Sequence, residues 1–240
     1  MRAGPPTAMQ QLTLDIAPAA PPTLDNFVVG SNAQVVFALR AALQAAGGER
    51  RICIWGGPGS GKSHLLRACA AAADAGRYIA CADDGLVFAE FSTGDDASLL
   101  AVDDAERLND ADQVALFNLV NRRDANPGSG ILLVACSRPP HATRLRADLA
   151  TRLAQGLVLE VAALTDPEKG EALAQYAKLR GIALSDDITR YLLTHLQRDL
   201  PALMAVLDAL DKVSLQRQRP ITVPLLREIL QTRLDMDIGR

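Results

Sequence analysis

Eight residues, Gly56-Gly57-Pro58-Gly59-Ser60-Gly61-Lys62-Ser63, restrict this chain more than any other stretch. They fit the spacing G-x-x-x-x-G-K-[ST] without a mismatch. Arg51-Ile52-Cys53-Ile54-Trp55 before them reads as a short buried strand. His64-Leu65-Leu66-Arg67-Ala68-Cys69-Ala70 after them reads as a helix. A strand, a glycine loop and a helix N-terminus together make an anion site. The glycines let several N–H groups turn inward, and the helix dipole adds positive potential. Gly56, Gly57, Gly59, Ser60, Gly61 and His64 are then the cradle. Lys62 reaches the β- and γ-phosphates and Ser63 offers its hydroxyl to Mg²⁺. An ordinary glycine-rich turn is the plain alternative; the flanking strand and helix argue against it.

Composition narrows the rest. The 240 residues suffice for one large domain or two small ones, and 49% are hydrophobic, enough for a core. Aromatics are only 4%, so aliphatic side chains must fill it. Net charge is −3, so bulk charge gives no argument for nucleic-acid binding. Cys53, Cys69, Cys81 and Cys136 lie far apart in apolar segments. They read as buried reduced thiols of a cytoplasmic protein, without zinc-ligand spacing. No apolar run approaches the roughly 20 residues of a membrane helix, and the N-terminus lacks a signal-peptide core.

Five of the 13 prolines (Pro5, Pro6, Pro18, Pro21, Pro22) fall within residues 1–22, which read as a flexible tail. Gln11-Leu12-Thr13-Leu14-Asp15-Ile16 interrupts it. Extended, Leu12, Leu14 and Ile16 share one side. The pattern alone leaves two readings open: a docking peptide for a partner's apolar pocket, or an added edge strand. Ser31 and Gln34 form a capping box for a helix over 31–46, stopped by Gly47. Strands are expected at 51–55, 77–81, 98–102, 130–135 and 157–161. Residues 83–97 resist assignment. A helix spans 110–123 with Val114, Leu116, Phe117 and Val120 inward. Alternating strands and helices imply βαβ units around a covered parallel sheet. After residue 164 only helices are expected. Thr165 and Glu168 cap one that Gly181 closes, Ser185 caps the next, Asp199 opens a third and Thr222 caps a short last one. The domains are therefore a tail (1–22), an α/β nucleotide-binding domain (23–164) and a helical lid (165–240).

Asp103-Asp104 ends an apolar strand downstream of the loop. With the loop in the same chain, Asp103 is placed to hold Mg²⁺ and Asp104 to orient or deprotonate water. Ser137 follows the next strand, where a polar residue would sense a γ-phosphate; a plain loop residue explains it as well. Arg152, in Asp148-Leu149-Ala150-Thr151-Arg152-Leu153, sits on a short helix before the last strand. Projecting from a domain edge, it would enter a neighbour's nucleotide site. Read by itself, a surface arginine is the plainer account.

Several segments together resemble the DnaA/Hda family of AAA+ ATPases. They are Leu24-Asp25-Asn26-Phe27-Val28-Val29-Gly30, the loop through Leu66, Leu99 to Asp104, Ser137-Arg138-Pro139-Pro140, and Asp148 to Leu153. The resemblance covers residues 10–235. It implies an AAA+ P-loop core with a parallel five-stranded sheet, followed by a small α-helical lid. It also implies ADP or ATP with Mg²⁺ as cofactors, an adenine pocket at Phe27, Val28 and Val29, and Arg152 as an arginine finger. Within the family the chain looks like the Hda branch, with a short tail where the initiator has an extra domain and no helix-turn-helix after the lid. The tail resembles that branch's clamp-binding motif, implying clamp contacts through Gln11, Leu12, Leu14 and Ile16. The implied partners are the DnaA initiator, the β sliding clamp of DNA polymerase III and, mainly through the clamp, DNA. A homo-oligomer is also compatible, and the site of action is the nucleoid. The implied role is to stimulate hydrolysis of DnaA-bound ATP and prevent re-initiation.

Two positions depart from the family. Pro201 stands where the lid's sensor arginine is expected, with Arg198 one turn earlier. Ser137 stands where the family often has Asp. Both imply at most weak intrinsic ATPase activity. The competing readings are a helicase-loader-type ATPase acting directly on DNA, and a small-molecule P-loop kinase. The lid and the lack of an acceptor-binding insertion disfavour the kinase, and the tail motif favours the adaptor.

Overall fold

The computed structural model describes residues 21–44, 49–81, 97–126, 128, 130–196 and 200–228. The clamp-type motif (Gln11, Leu12, Leu14, Ile16), Gly47, the unassigned stretch 83–96, Arg198, Asp199 and Ile229 lie outside them. The chain divides into two compact units, Pro21–Glu168 and a second that begins at Lys169.

In the first unit, β1 (Arg51–Trp55), β2 (Gly76–Ala80), β3 (Leu99–Asp103), β4 (Ile131–Cys136) and β5 (Leu157–Glu160) form one parallel sheet. Their order is β2-β3-β4-β1-β5. Successive side chains of a strand point to opposite faces. Ile52, Ile54, Leu99, Ala101, Leu133 and Ala135 therefore share one face, packed on α1 (Ala33–Gln44) and α2 (Lys62–Ala72). Cys53, Leu100, Val102, Leu132, Val134 and Cys136 share the other, with α3 (Asp110–Ala125) and α4 (Ala147–Ala154). Both faces are covered, which is why the strands read as unbroken apolar runs.

Strand limits shift by a residue where pairing outruns hydrophobicity. Asp103 pairs with Ala80, so β3 includes this carboxylate instead of stopping before it. Two helix expectations need correction. α1 starts at Ala33, not at a Ser31 cap: Asn32 stands before the first turn, and its carbonyl accepts from Val36 N at 3.1 Å. The inner face of α3 is the expected one at Leu116 and Val120, both buried, but not at Val114. Val114 is 40% exposed and Phe117 only half-buried, whereas Gln113 and Arg123 are buried. Their polar atoms find backbone partners. Gln113 Nε2 donates to Leu108 O (2.9 Å), and Arg123 Nη1 donates to Ile131 O (2.7 Å). A buried polar group that is hydrogen-bonded loses most of its desolvation penalty, so apolar spacing alone missed Gln113 and Arg123.

The second unit holds most of α5 (Asp166–Arg180), then α6 (Asp186–His195), α7 (Leu200–Arg217) and a helical turn at 223–228. Its core is aliphatic: Leu173, Ile188, Leu192, Leu203, Leu207 and Leu226. The caps form as their sequences dictate. Glu168 Oε2 accepts from Thr165 N at 2.7 Å, and Thr165 Oγ1 accepts from Glu168 N at 3.4 Å. Ser185 Oγ accepts from Ile188 N, and Gly181 closes α5 at φ +71°. Pro201 is in the first turn of α7, where its missing N–H is tolerated.

All four cysteines are free thiols. Burial pushes Cys69 and Cys81 up to about 12, so neither offers a thiolate at neutral pH.

Candidate functional site

All five strands are parallel, so the loops leaving β3, β4 and β1 emerge at the same end of the sheet, side by side. This brings Asp103-Asp104, Ser137 and Gly56–Ser63 together. Cross-links between the tips fix them. Gly56 N donates to Cys136 O (3.2 Å), and Val161 N donates to Trp55 O (2.7 Å). Ser137 N donates to Glu106 Oε1 (2.8 Å) from the 3₁₀ turn Ala105–Arg107. Glu106 was not singled out from sequence; its partner is 31 residues away.

The loop requires its glycines at two points. A Cβ on Gly56 would stand 2.3 Å from Val161 O. Gly61, at φ +97°, caps α2 in the left-handed region, and a Cβ there would stand 2.7 Å from the Phe27 ring. Among the described residues no side chain caps α2. Free N–H groups in the first turn of a helix are the arrangement that favours anions. Lys62 is 8% exposed, its ammonium donating to Gly56 O (2.7 Å) and Gly57 O (3.1 Å). Ser60 Oγ is buried without a hydrogen-bond partner among the described residues, and Ser63 is exposed.

A strap runs over the start of α2. Phe27 packs against Gly61 and lies 5.5 Å from the His64 ring, whose Nε2 is 2.9 Å from Thr23 O. Arg40 Nη2 holds Leu24 O and Asp25 Oδ1. Val29 packs on the sheet core and Val28 is half-buried. Asn32 anchors the strap: Nδ2 donates to Ala162 O (2.9 Å) and Oδ1 accepts from Ala162 N (2.8 Å). Sequence reasoning chose Ser31 and missed Asn32. The clue was an amide at the last position before a helix.

Asp103 is 4% exposed. Tyr78 Oη donates to its Oδ2 (2.7 Å), and Asp104 N donates to its Oδ1 (3.1 Å). Burial first, then Asp103, pushes the Tyr78 hydroxyl up to about 12, so it stays a donor. Asp104 adopts φ +53°, a left-handed conformation costly for most side chains and tolerated by Asp. Burial, then repulsion from Asp103 and Glu106, raises its carboxyl above the ordinary carboxylate range. The protein thus places one fixed and one raised carboxyl at a strand tip.

Arg152 lies on α4, whose Leu149 and Leu153 are fully buried. Its guanidinium touches only the neutral Gln155 Oε1 among the described side chains, at 3.4 Å. Its neighbour Arg146 is instead paired with Asp148 at 3.0 Å. The α4 helix precedes β5, the sheet's edge strand next to β1.

Asp103 and Ser63 are hard oxygen donors and suit Mg²⁺. Asp103 uses two of its roughly four acceptor positions on Tyr78 and Asp104. No cluster of three or more His, Cys, Asp or Glu among the described residues is arranged to hold a metal.

Residues 166–230 match the family model "Hda, lid domain". The whole fold resembles domain III of the Thermotoga maritima replication initiation protein DnaA. That match has 20% identity, covers 90% of this chain and 98% of that one, and has a TM-score of 0.66. AMPPCP-bound DnaA from Aquifex aeolicus matches at 20% identity over 84% of this chain and 71% of that one, TM-score 0.63. Thermotoga maritima RuvB matches at 18% identity over 88% and 71%, TM-score 0.65. At such identities the likeness speaks for fold. What this chain shares with these structures is a fold, a five-stranded parallel sheet with the Gly56–Ser63 loop at the end of β1 and a helical unit after it, and its residues 166–230 are similar to the lid domain of Hda.

Proposed function

We propose that this chain is a nucleotide-bound regulatory adaptor. It docks on the DNA-loaded sliding clamp through its tail and stimulates hydrolysis of ATP held by the initiator DnaA. The observation that carries the proposal is Arg152: a guanidinium on α4, offered no carboxylate among the described residues, just before the sheet's edge strand, in a chain whose residues 166–230 match the lid-domain model of Hda. In trans, its planar fork would neutralise charge developing on the transferring phosphoryl group.

The division of labour within the chain is a tail at 1–22, the α/β domain at 23–164 and the lid at 165–240. The chain's own nucleotide, ADP or ATP, is held between the strap and the loop. Phe27, Val28 and Val29 with His64 enclose the base. The N–H groups of Gly57 and of Gly59 to Ser63 would donate to phosphate oxygens, and Ser60 Oγ, buried without a partner among the described residues, would add a donor. Lys62, which donates to the loop carbonyls Gly56 O and Gly57 O, would serve the β- and γ-phosphates. Mg²⁺, when bound, neutralises charge between the phosphates. Ser63 and Asp103 would hold it, Asp104 would orient water, and Ser137 would face the γ-phosphate. Pro201 offers no charge from the lid, so own-site hydrolysis is weak. Gln11, Leu12, Leu14 and Ile16 enter an apolar pocket of the clamp as an extended peptide. No helix of the described residues is long and apolar enough to cross a membrane, consistent with action at the nucleoid.

The test is turnover of radiolabelled ATP on DnaA, with clamp-loaded DNA and each variant. Arg152→Ala should keep ADP affinity and clamp binding yet lose most stimulation. Known fingers contribute about 10³–10⁵ in rate. Arg152→Lys should resemble it, because a point charge cannot replace the fork. Leu12→Ala with Leu14→Ala should abolish clamp binding with the melting temperature unchanged. Full stimulation by Arg152→Ala would defeat the finger and shift attention to Arg138, Arg144 or Arg146. Hydrolysis driven by DNA without clamp or DnaA would favour the helicase-loader reading.

A further inference from the structure

Asp103 is gripped by a residue that the functional reading above does not use. Tyr78 comes from β2, the edge strand beside β3, and pairs in register with Ala101, two residues before Asp103. Its hydroxyl reaches along the sheet to Oδ2 at 2.7 Å, while the Asp104 N–H takes Oδ1 at 3.1 Å. The terminal torsion of an aspartate is broad, so a carboxylate without partners samples many orientations. Two donors, one on each oxygen, remove that freedom. Both donors are neutral. Among the described residues Asp103 forms no ion pair, so no cationic side chain occupies the carboxylate while its plane is fixed. A lysine or arginine in place of Tyr78 would fix it equally well and cancel the charge that a cation needs. The tyrosine ring is steadied in turn: the Arg67 guanidinium lies 4.8 Å from its centroid, on the exposed side of α2. Since α2 begins at Lys62, the loop's helix and the β3 carboxylate bear on the same ring.

We propose that Tyr78 is a positioning residue that sets the Asp103 carboxylate to receive a divalent cation delivered with a nucleotide. It touches neither nucleotide nor cation. It acts on Asp103 as the outer hydrogen-bond partners of metal ligands act in general, where loss costs about 10- to 100-fold in metal affinity or activity. The proposal rests on the reading of Gly56–Ser63 as a nucleotide site.

The experiment uses the full chain with ADP, measured first in EDTA and then titrated with Mg²⁺. Mn²⁺ paramagnetic resonance serves as a direct readout of the metal. Tyr78→Phe keeps the ring and its stacking on Arg67 and removes only the hydroxyl. Its ADP affinity in EDTA should match wild type within about twofold. The Mg²⁺ concentration giving half the effect should rise about 10- to 100-fold. In an Asp103→Asn background, Tyr78→Phe should add nothing further, since the residue acts through that carboxylate. A merely structural role would lower ADP affinity in EDTA and would add in the double variant; either result overturns the proposal. An unchanged or lower Mg²⁺ midpoint in Tyr78→Phe overturns it too, leaving the nucleotide site intact. A wild type that ignores ADP in both conditions sinks the nucleotide reading and this one with it.

Discussion

Asn32→Ala should loosen the strap that covers the loop, and its size follows from two bonds. The amide exchanges a donor and an acceptor with one residue, Ala162, at 2.9 and 2.8 Å. Each lost bond is worth about 0.5–1.5 kcal/mol. Ala162's own N–H and C=O then lack partners, which costs about 1–3 kcal/mol each when fully buried. Ala162 is only half-buried, so water recovers part of this. The lower half of the range for the two orphaned groups applies, about 2–4 kcal/mol in all. For a chain of this size that is about 4–16 °C in melting temperature. The effect should reach the site, because Asn32 anchors the segment bearing Phe27. ADP affinity should fall together with stability. Asn32→Asp separates hydrogen bonding from shape. At neutral pH a carboxylate still accepts from Ala162 N but faces Ala162 O with no proton to give, at a position 3% exposed. Burial raises its folded pKa above the unfolded value. Stability is then lost as pH rises through the folded pKa and recovered below the unfolded one. Asn32→Asp should therefore be worse than Asn32→Ala at pH 7 and better near pH 4, read by thermal melts across pH. A melting temperature within 2 °C of wild type for Asn32→Ala would refute the argument.

Two further outcomes are expected. Added ADP at a hundredfold excess over Kd should stabilise wild type by about 2.7 kcal/mol, and Lys62→Ala should lose most of the rise in melting temperature; an equal rise in both would place the ligand elsewhere. Glu168 accepts from Thr165 N–H and hydroxyl, which hold its carboxyl below the usual range. Its stabilisation is present above the unfolded pKa and lost as pH falls through the folded one. Glu168→Gln should melt earlier than wild type at pH 7, and the gap should close in acid; a gap independent of pH would contradict the charge-assisted cap.

The loop, the five strands and the caps at Thr165, Ser185 and Gly181 were legible in the sequence because each is set by residues a few positions apart. A glycine that must take φ +97°, a hydroxyl three residues from its N–H, or an alternating apolar run carries its own evidence. What tertiary structure alone decided was partnership across the chain. Strand order, and with it the meeting of Asp103, Ser137 and the loop, depends on crossovers that no local pattern records. Gln113 and Arg123 look like surface residues until distant backbone satisfies them. Tyr78 and Asp103 are 25 residues apart and Asn32 and Ala162 are 130 apart. A hydrogen bond is short-ranged and directional. Only folding brings such donors and acceptors within reach, so the candidate groups of the site could be named from sequence, whereas those that hold them in place could not.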